Sequence, residues 1–129
     1  MKYLDLKLLL LLVCCLLLTF GKGQEYLNHD SFNNKIAKDI VVVEFWVDWN
    51  SSNEFAEINK LKECEVYRVD IGACNKLQNK YDVSAVPTVI VFDNGKEKER
   101  FLPNIMFRLD ADKKIIQNSV DTLILNKFQ

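Results

Sequence analysis

The sequence predicts a single α/β domain with a central mixed sheet flanked by helices. Two observations predict this fold class. Residues 40–46 are a nearly continuous β-branched and aromatic run, typical of a strand buried on both faces of a sheet. Residues 64–71 alternate well enough to be a second central strand, and residues 83–92 are a third apolar run. Between and after them, apolar residues recur at helical spacing. The resulting order is β-α-β-α-β-α-β-β-α, in which parallel strands joined through helices come first and an antiparallel hairpin with a covering helix closes the domain.

Composition limits the classes of function. The 129 residues have room for one domain, and 49% hydrophobic with 27% charged residues suits a packed core. The formal net charge of −1 gives no electrostatic reason to bind nucleic acid or an anionic membrane surface.

The N-terminal segment differs from the rest of the chain. Residues 8–20 carry no charged side chain and follow Lys2 and Lys7. A membrane-spanning helix needs ~20 apolar residues, whereas a signal-peptide core needs ~7–15. We expect residues 1–23 to be a signal peptide and residues 24–129 to be an exported domain, periplasmic or secreted. The alternative is an uncleaved anchor, which would be the chain's one association with a membrane.

The first half of the domain begins with a short extended segment, residues 25–28. A helix follows that Asp30 or Ser31 is predicted to cap, and its apolar face consists of Phe32, Ile36 and Ala37. Residues 40–46 form the central strand. A second helix is predicted after residue 53 from the spacing of Phe55, Ile58 and Leu61.

The second half contains the strand at residues 64–71, a short helix with Leu77 and Tyr81, and the strand at residues 83–92, which Pro87 interrupts. Asp-Asn-Gly at residues 93–95 predicts a hairpin turn, because Asn and Gly tolerate positive φ. Residues 97–101 return as an edge strand rich in Lys and Glu. A C-terminal helix, capped by Asp110 or Asp112, has an apolar face made of Ile115, Ile116, Val120, Leu123, Ile124 and Phe128.

Three segments together carry a family resemblance. They are Val-Glu-Phe-Trp-Val-Asp-Trp at residues 43–49, Tyr-Asp-Val-Ser-Ala-Val-Pro-Thr at residues 81–88 and Phe-Asp-Asn-Gly at residues 92–95. In this order and spacing they resemble the thioredoxin family over about residues 25–127. The resemblance implies a thioredoxin-like fold, a cis bond before Pro87 and a peptide groove at Trp49, Val86 and Pro87, where a client strand pairs with the backbone just before the proline.

The chemistry of that family rests on Cys-x-x-Cys directly after the second tryptophan, with the first thiolate stabilised at a helix N-terminus. The corresponding residues here are Asn50, Ser51, Ser52 and Asn53. A carboxamide cannot ionise or attack a disulfide, so dithiol–disulfide exchange is not expected. Ser51 and Glu54 fit a capping box and Asn50 is a favoured N-cap residue, which predicts a capping role instead. Asn50-Ser51-Ser52 is also an Asn-x-Ser sequon, which could be glycosylated in an exported eukaryotic protein.

Glu44 matches the family's buried acid, which assists proton transfer to the inner cysteine. A buried carboxyl group has a raised pKa, and Asn53 or water is the expected hydrogen-bond partner.

Other residues provide little catalytic chemistry. A nucleophile at Ser51 or Ser52 would need a base, and the only histidine is His29, on no recognisable motif. Cys64 and Cys74 bracket a strand and lie too far apart to form a disulfide. Two cysteines and one histidine make no zinc set. The sequence therefore predicts no catalytic residue, metal or cofactor.

Three functions remain open. The leading prediction is an exported, non-catalytic domain that binds polypeptide through the groove beside the cis-proline. The first alternative is a residual thiol–disulfide oxidoreductase acting through Cys74 alone, because that thiol lies at a predicted helix start. The second alternative is a purely structural or assembly module.

Overall fold

In a computed structural model of the chain, residues 25–129 are described, and the predicted signal segment, residues 1–23, lies outside them. Four strands form one sheet: β1 (Ile40–Trp46), β2 (Glu65–Asp70), β3 (Thr88–Asp93) and β4 (Lys96–Phe101). Their order is β2-β1-β3-β4. β1 is parallel to β2 and antiparallel to β3, which is antiparallel to β4. This is the mixed sheet that the sequence predicts.

The central strand β1 is covered on both faces. Val41, Val43 and Phe45 contribute to one core cluster, and Ile40 and Val42 contribute to the other. Successive side chains in a strand point to opposite faces, so a continuous apolar run requires a layer on each side.

Helices and turns supply those two layers. On one face lie α1 (His29–Ile36) and α2 (Asn75–Lys80), which bury Phe32, Ile36 and Leu77. On the other face lie a 3₁₀ turn at Ala56–Lys60 and α3 (Lys113–Asn126), which bury Ile58, Ile116 and Val120. Within residues 25–129, no helix is both long and apolar enough to cross a bilayer.

The start of the domain differs from the prediction in two details. The first strand is reduced to one parallel bridge between Tyr26 and Arg68. The cap of α1 is Asn28, rather than Asp30 or Ser31: its side chain accepts from the N–H of Ser31 at 2.9 Å, while the Ser31 hydroxyl accepts from the N–H of Asn28 at 3.2 Å. The cap thus lies earlier in the chain than predicted, and Ala37, expected on the apolar face, is exposed.

The predicted helix after residue 53 is wrong. The chain forms two 3₁₀ segments instead, Asp48–Asn53 and Ala56–Lys60. Phe55, Ile58 and Leu61 are buried as expected. Their constant spacing of three residues matches the 3.0 residues per turn of a 3₁₀ helix better than the 3.6 of an α-helix, which explains the difference.

The C-terminal half keeps the predicted hairpin with shorter elements. β3 begins only at Thr88, after a Val86–Pro87 peptide bond that is cis. Asn94 and Gly95 have positive φ, 49° and 81°. The apolar face predicted for the C-terminal helix is too wide, since Ile115 is exposed and Phe128 lies exposed beyond the end of α3. Only a narrow stripe of this helix meets the sheet.

We expect Asp112→Ala to lower the free energy of unfolding by ~0.5–2 kcal/mol. The reason is that its side chain accepts from the backbone N–H of Ile115 at 2.9 Å and so caps α3. Asp110→Ala is the matched control and should change stability little, because Asp110 is exposed and does not cap the helix. Urea unfolding of both variants checks this, and equal losses would contradict the assignment of the cap.

Candidate functional site

The 3₁₀ segment after β1 carries the positions where the thioredoxin family has its dithiol. Trp49, Ser51 and Ser52 are exposed, Asn53 is half-buried and Asn50 is buried. Asn50 also departs from helical geometry, with φ −111° and ψ 24°. Its side chain therefore points into the protein, whereas its neighbours face solvent.

The Asn50 carboxamide joins three segments of the chain. Its Nδ2 donates to the carbonyl oxygens of Val86 at 3.3 Å and Phe107 at 3.0 Å. Its Oδ1 accepts from Nδ2 of Asn53 at 2.8 Å. Both hydrogens and the oxygen of this amide are engaged, which satisfies a buried polar group. Val86 and Pro87, the backbone of the predicted groove, are buried beneath this network.

The predicted capping role of Ser51 and Asn50 is wrong. The two 3₁₀ segments have Val47 and Phe55 at their N-caps, and neither start has a side-chain cap. The Asn50 amide is bonded to distant carbonyls rather than to a helix start. Glycosylation of the sequon is also incompatible with the folded domain, because a glycan on Nδ2 of Asn50 would displace its hydrogen bonds from a buried site.

The loop at residues 103–109 is held in a defined shape. Its base is an antiparallel bridge between Pro103 and Leu109. The N–H of Asn104 donates to the carbonyl of Arg108 at 2.7 Å, and Oδ1 of Asn104 accepts from the N–H groups of Met106 at 2.8 Å and Arg108 at 3.2 Å. Phe107 has φ 56°, a left-handed conformation that costs a bulky residue about 1–3 kcal/mol.

This loop places exposed apolar side chains beside the first 3₁₀ segment. The ring of Phe107 meets that of Trp49 edge-on, with centroids 5.4 Å apart and planes at 89°. Trp49 is 67% exposed, Ile105 95% and Met106 63%. We call Trp49, Ile105, Met106 and Phe107 the apolar patch. Of these four residues, the sequence analysis identified only Trp49. The run Ile-Met-Phe in a predicted loop could have indicated the other three.

Glu44 is fully buried and has a partner that the sequence analysis missed. Its Oε1 accepts from Nε of Arg68 at 2.8 Å, and its Oε2 accepts from the backbone N–H of Phe55 at 2.6 Å. Arg68 also pairs with Glu54 at 3.3 Å. The expected bond from Asn53 is absent, because that amide donates to Asn50. The signal for Arg68 was a single cation within the alternating strand predicted at residues 64–71.

Burial raises the pKa of Glu44, although the N–H of Phe55 and the guanidinium of Arg68 both lower it. Burial alone would lower the pKa of Arg68, but the attraction of Glu44 together with the hydrogen bonds that Arg68 donates to Tyr26 and Glu44 raises it overall. Both oxygens of Glu44 are engaged in structural bonds. The carboxyl group therefore serves the ion pair and makes no hydrogen bond to Asn50 or Asn53.

The remaining candidate nucleophiles lie elsewhere. Cys64 and Cys74 are both free and half-buried. Burial, with nearby carboxylates, raises the pKa of Cys64 to about 12. Cys74 shares a surface pocket of about 380 Å³ with His29 and Asp30. His29 thus lines the same pocket as Cys74, whereas Ser51 and Ser52 do not line it. No cluster of three or more metal-ligating side chains occurs within residues 25–129.

The raised pKa of Glu44 predicts a specific pH dependence. Such a group favours the folded state below its unfolded pKa, ~4.3, and this contribution is lost as the pH rises through the higher folded value. We expect the free energy of unfolding of the native chain, relative to Glu44→Gln, to fall across this window and then level off. Glu57→Gln, at an exposed position, is the control. If this difference in unfolding free energy rose with pH, the attraction of Arg68 would lower the pKa of Glu44 more than burial raises it.

The two cysteines should differ in reactivity. At pH 8 Cys64 remains a protonated thiol, since its pKa is about 12, and only the thiolate attacks alkylating reagents. We expect iodoacetamide to label Cys74, which borders an open pocket, much faster than Cys64. Peptide mass spectrometry of the folded chain measures both rates, and labelling in urea is the control. Equal rates in the folded protein would contradict this assignment.

Comparison with known proteins identifies the family. The sequence model described as Thioredoxin matches residues 23–106, well over half of the chain. A thioredoxin of Chlamydia trachomatis is 28% identical over 82 residues, which cover 59% of this chain and 80% of that protein. Thioredoxin-1 of Saccharomyces cerevisiae is 34% identical over 73 residues, covering 51% and 71% of the two chains. The crystal structure of Malassezia sympodialis thioredoxin has the same fold, with a TM-score of 0.62 at 20% identity over 79% of this chain and 91% of that one. The chain belongs to the thioredoxin family.

Proposed function

We propose that this chain is a polypeptide-binding member of the thioredoxin family that has lost dithiol–disulfide exchange. The first support is chemical. Asn50 and Asn53 occupy the two positions of the family's cysteines, and an amide can neither become a nucleophilic thiolate nor store two electrons. In addition, their side chains bond to each other, and Asn50 bonds to two backbone carbonyls. These hydrogen bonds connect segments of the chain and leave no reactive pair at these positions.

The apolar patch is the observation that carries the binding part of the proposal. Four large apolar side chains lie together in solvent at the end of the domain where the family handles its protein substrates. An exposed cluster of this kind marks an interaction site, and tryptophan is among the residues that contribute most to protein interfaces. In the unbound chain the ring of Phe107 packs edge-on against Trp49, which restricts the side chain of Trp49 before a partner binds.

We also propose that the domain acts outside the cytoplasm, in the periplasm or after secretion. This rests on the uncharged run at residues 8–20, whose length suits a signal peptide. An uncleaved anchor would place the same domain at a membrane surface.

A thiol oxidoreductase acting through Cys74 is the second candidate. One observation favours it: the thiol, His29 and Asp30 line the same pocket. A purely structural module remains the third candidate, and it is distinguished from the first by the binding experiment.

Binding should depend on the apolar patch. We expect the chain to bind reduced, carboxymethylated lysozyme, an unfolded polypeptide without thiols. Trp49→Ser should weaken this binding by ~10-fold or more, as for an interface hot spot, with a smaller loss for Met106→Ser. Fluorescence anisotropy of the labelled lysozyme measures the affinity. Leu125→Ser, which removes an equally exposed side chain from α3, is the matched control.

Equal losses for Trp49→Ser and Leu125→Ser would mean that binding is nonspecific. No binding at all would favour the structural module.

The chain should not accelerate the reduction of insulin disulfides by dithiothreitol. Neither Asn50 nor Asn53 can form the mixed disulfide on which turnover depends. The turbidity of released insulin chains measures the rate, with an ordinary thioredoxin as positive control. Activity that disappears in Cys74→Ser would support a thiol oxidoreductase acting through Cys74. Activity that survives this change would contradict the proposed loss of dithiol–disulfide exchange.

A further inference from the structure

The loop at residues 103–109 lies against the backbone that the predicted peptide groove would use. One nitrogen, Nδ2 of Asn50, reaches the carbonyl oxygens of both Val86, at 3.3 Å, and Phe107, at 3.0 Å. The loop backbone and the Val86 backbone thus lie on either side of one side-chain nitrogen. Val86 and Pro87 are themselves buried. The Asn50 amide therefore ties the loop to the backbone where the resemblance places an extended ligand.

Three independent contacts keep Phe107 there. Asn50 binds its carbonyl, Trp49 packs against its ring, and its N–H donates to the carbonyl of Asn104 at 3.0 Å. Its φ of 56° is a conformation that a bulky residue keeps only where surrounding contacts impose it. Strain of this kind is often found in segments that clamp or switch, because releasing the contacts releases the strain.

We propose that residues 103–109 form an internal latch, fastened by Asn50, which closes the groove beside Pro87 and opens to admit an extended, apolar polypeptide segment. The Val86 carbonyl has a second lone pair, so the obstruction is the loop itself rather than the Asn50 bond. An incoming segment would offer a backbone N–H to Val86 and an apolar side chain to Trp49, replacing Phe107. The identity of the ligand rests on the proposed function, whereas the latch is a property of the fold.

Asn50→Asp tests the latch directly. The new carboxylate has almost the same shape but donates no hydrogen bond, and it faces two carbonyl oxygens that repel it. We expect hydrogen exchange at the amides of Met106, Phe107 and Arg108 to accelerate by about tenfold. This factor is the scale of losing the hydrogen bonds that Asn50 donates to the carbonyls of Val86 and Phe107. Exchange in α3 should not change. Asn34→Asp, which adds the same charge at an exposed position of α1, is the matched control.

Phe107→Ala provides a second test, also if Asn50→Asp does not fold. It keeps the carbonyl that Asn50 binds and removes the ring that packs on Trp49, so exchange at Met106 and Arg108 should also accelerate, by less. If neither variant accelerates exchange in the loop, the latch is refuted.

Affinity for the carboxymethylated lysozyme probe separates the latch from the proposed function. Faster loop exchange together with tighter binding by Asn50→Asp, relative to the native chain and to Asn34→Asp, supports the latch. Faster exchange with unchanged affinity overturns it, because an open loop would then expose no groove. Faster exchange with no binding by any of these chains supports an opening loop but contradicts the proposed function of polypeptide binding.

Discussion

The buried ion pair between Glu44 and Arg68 is the constraint on which the arrangement of this domain depends. A carboxylate and a guanidinium inside an apolar sheet are costly unless each is fully paired, and removing one partner typically costs ~3–5 kcal/mol. The two residues lie directly opposite each other in the register of β1 and β2. The backbone of Arg68 also bonds to the incoming segment at Glu25 and Leu27. One pair thus fixes the register of the parallel strands and the edge beside them.

The Glu44–Arg68 ion pair also determines where residues 50–53 lie, the positions at which the family has its dithiol. Glu44 accepts from the N–H of Phe55 at 2.6 Å, so the chain that leaves β1 must return to a fixed point beside the sheet. Residues 47–54 cover that distance in tight 3₁₀ geometry. Asn50 is directed inward within this short span and meets Val86 and Phe107. A buried charge therefore positions an uncharged amide several residues away, and the position of the 103–109 loop follows from that amide.

Features set by neighbouring residues could be predicted from the sequence, whereas those set by distant partners could not. The buried strand β1 and the turn at Asn94 and Gly95 follow from local composition. The capping role of Ser51 was mistaken because its local pattern is valid for a helix start, but burial of Asn50 against carbonyls 36 and 57 residues away prevails. Arg68 was missed because its pairing with Glu44 depends on register, which no single segment contains. The exposure of Ile115 on α3, and of Phe128 beyond the end of the helix, shows that apolar spacing overstates how much of a helix the sheet can cover.

Asn50 and Asn53 occupy the positions where the thioredoxin family has two cysteines, and an amide favours a different environment from a thiol. A thiol pair is useful because its bond can be made and broken, which requires access and a stabilised thiolate. An amide donates and accepts at once, so a pair of amides in the same positions is most stable when buried and fully bonded. This is the arrangement of Asn50 and Asn53, and it joins the first 3₁₀ segment to the cis-proline backbone and to the 103–109 loop. The fold alone does not carry a function. Under the proposed function, Asn50 and Asn53 connect segments of the chain, and opening of the 103–109 loop would control access to the groove.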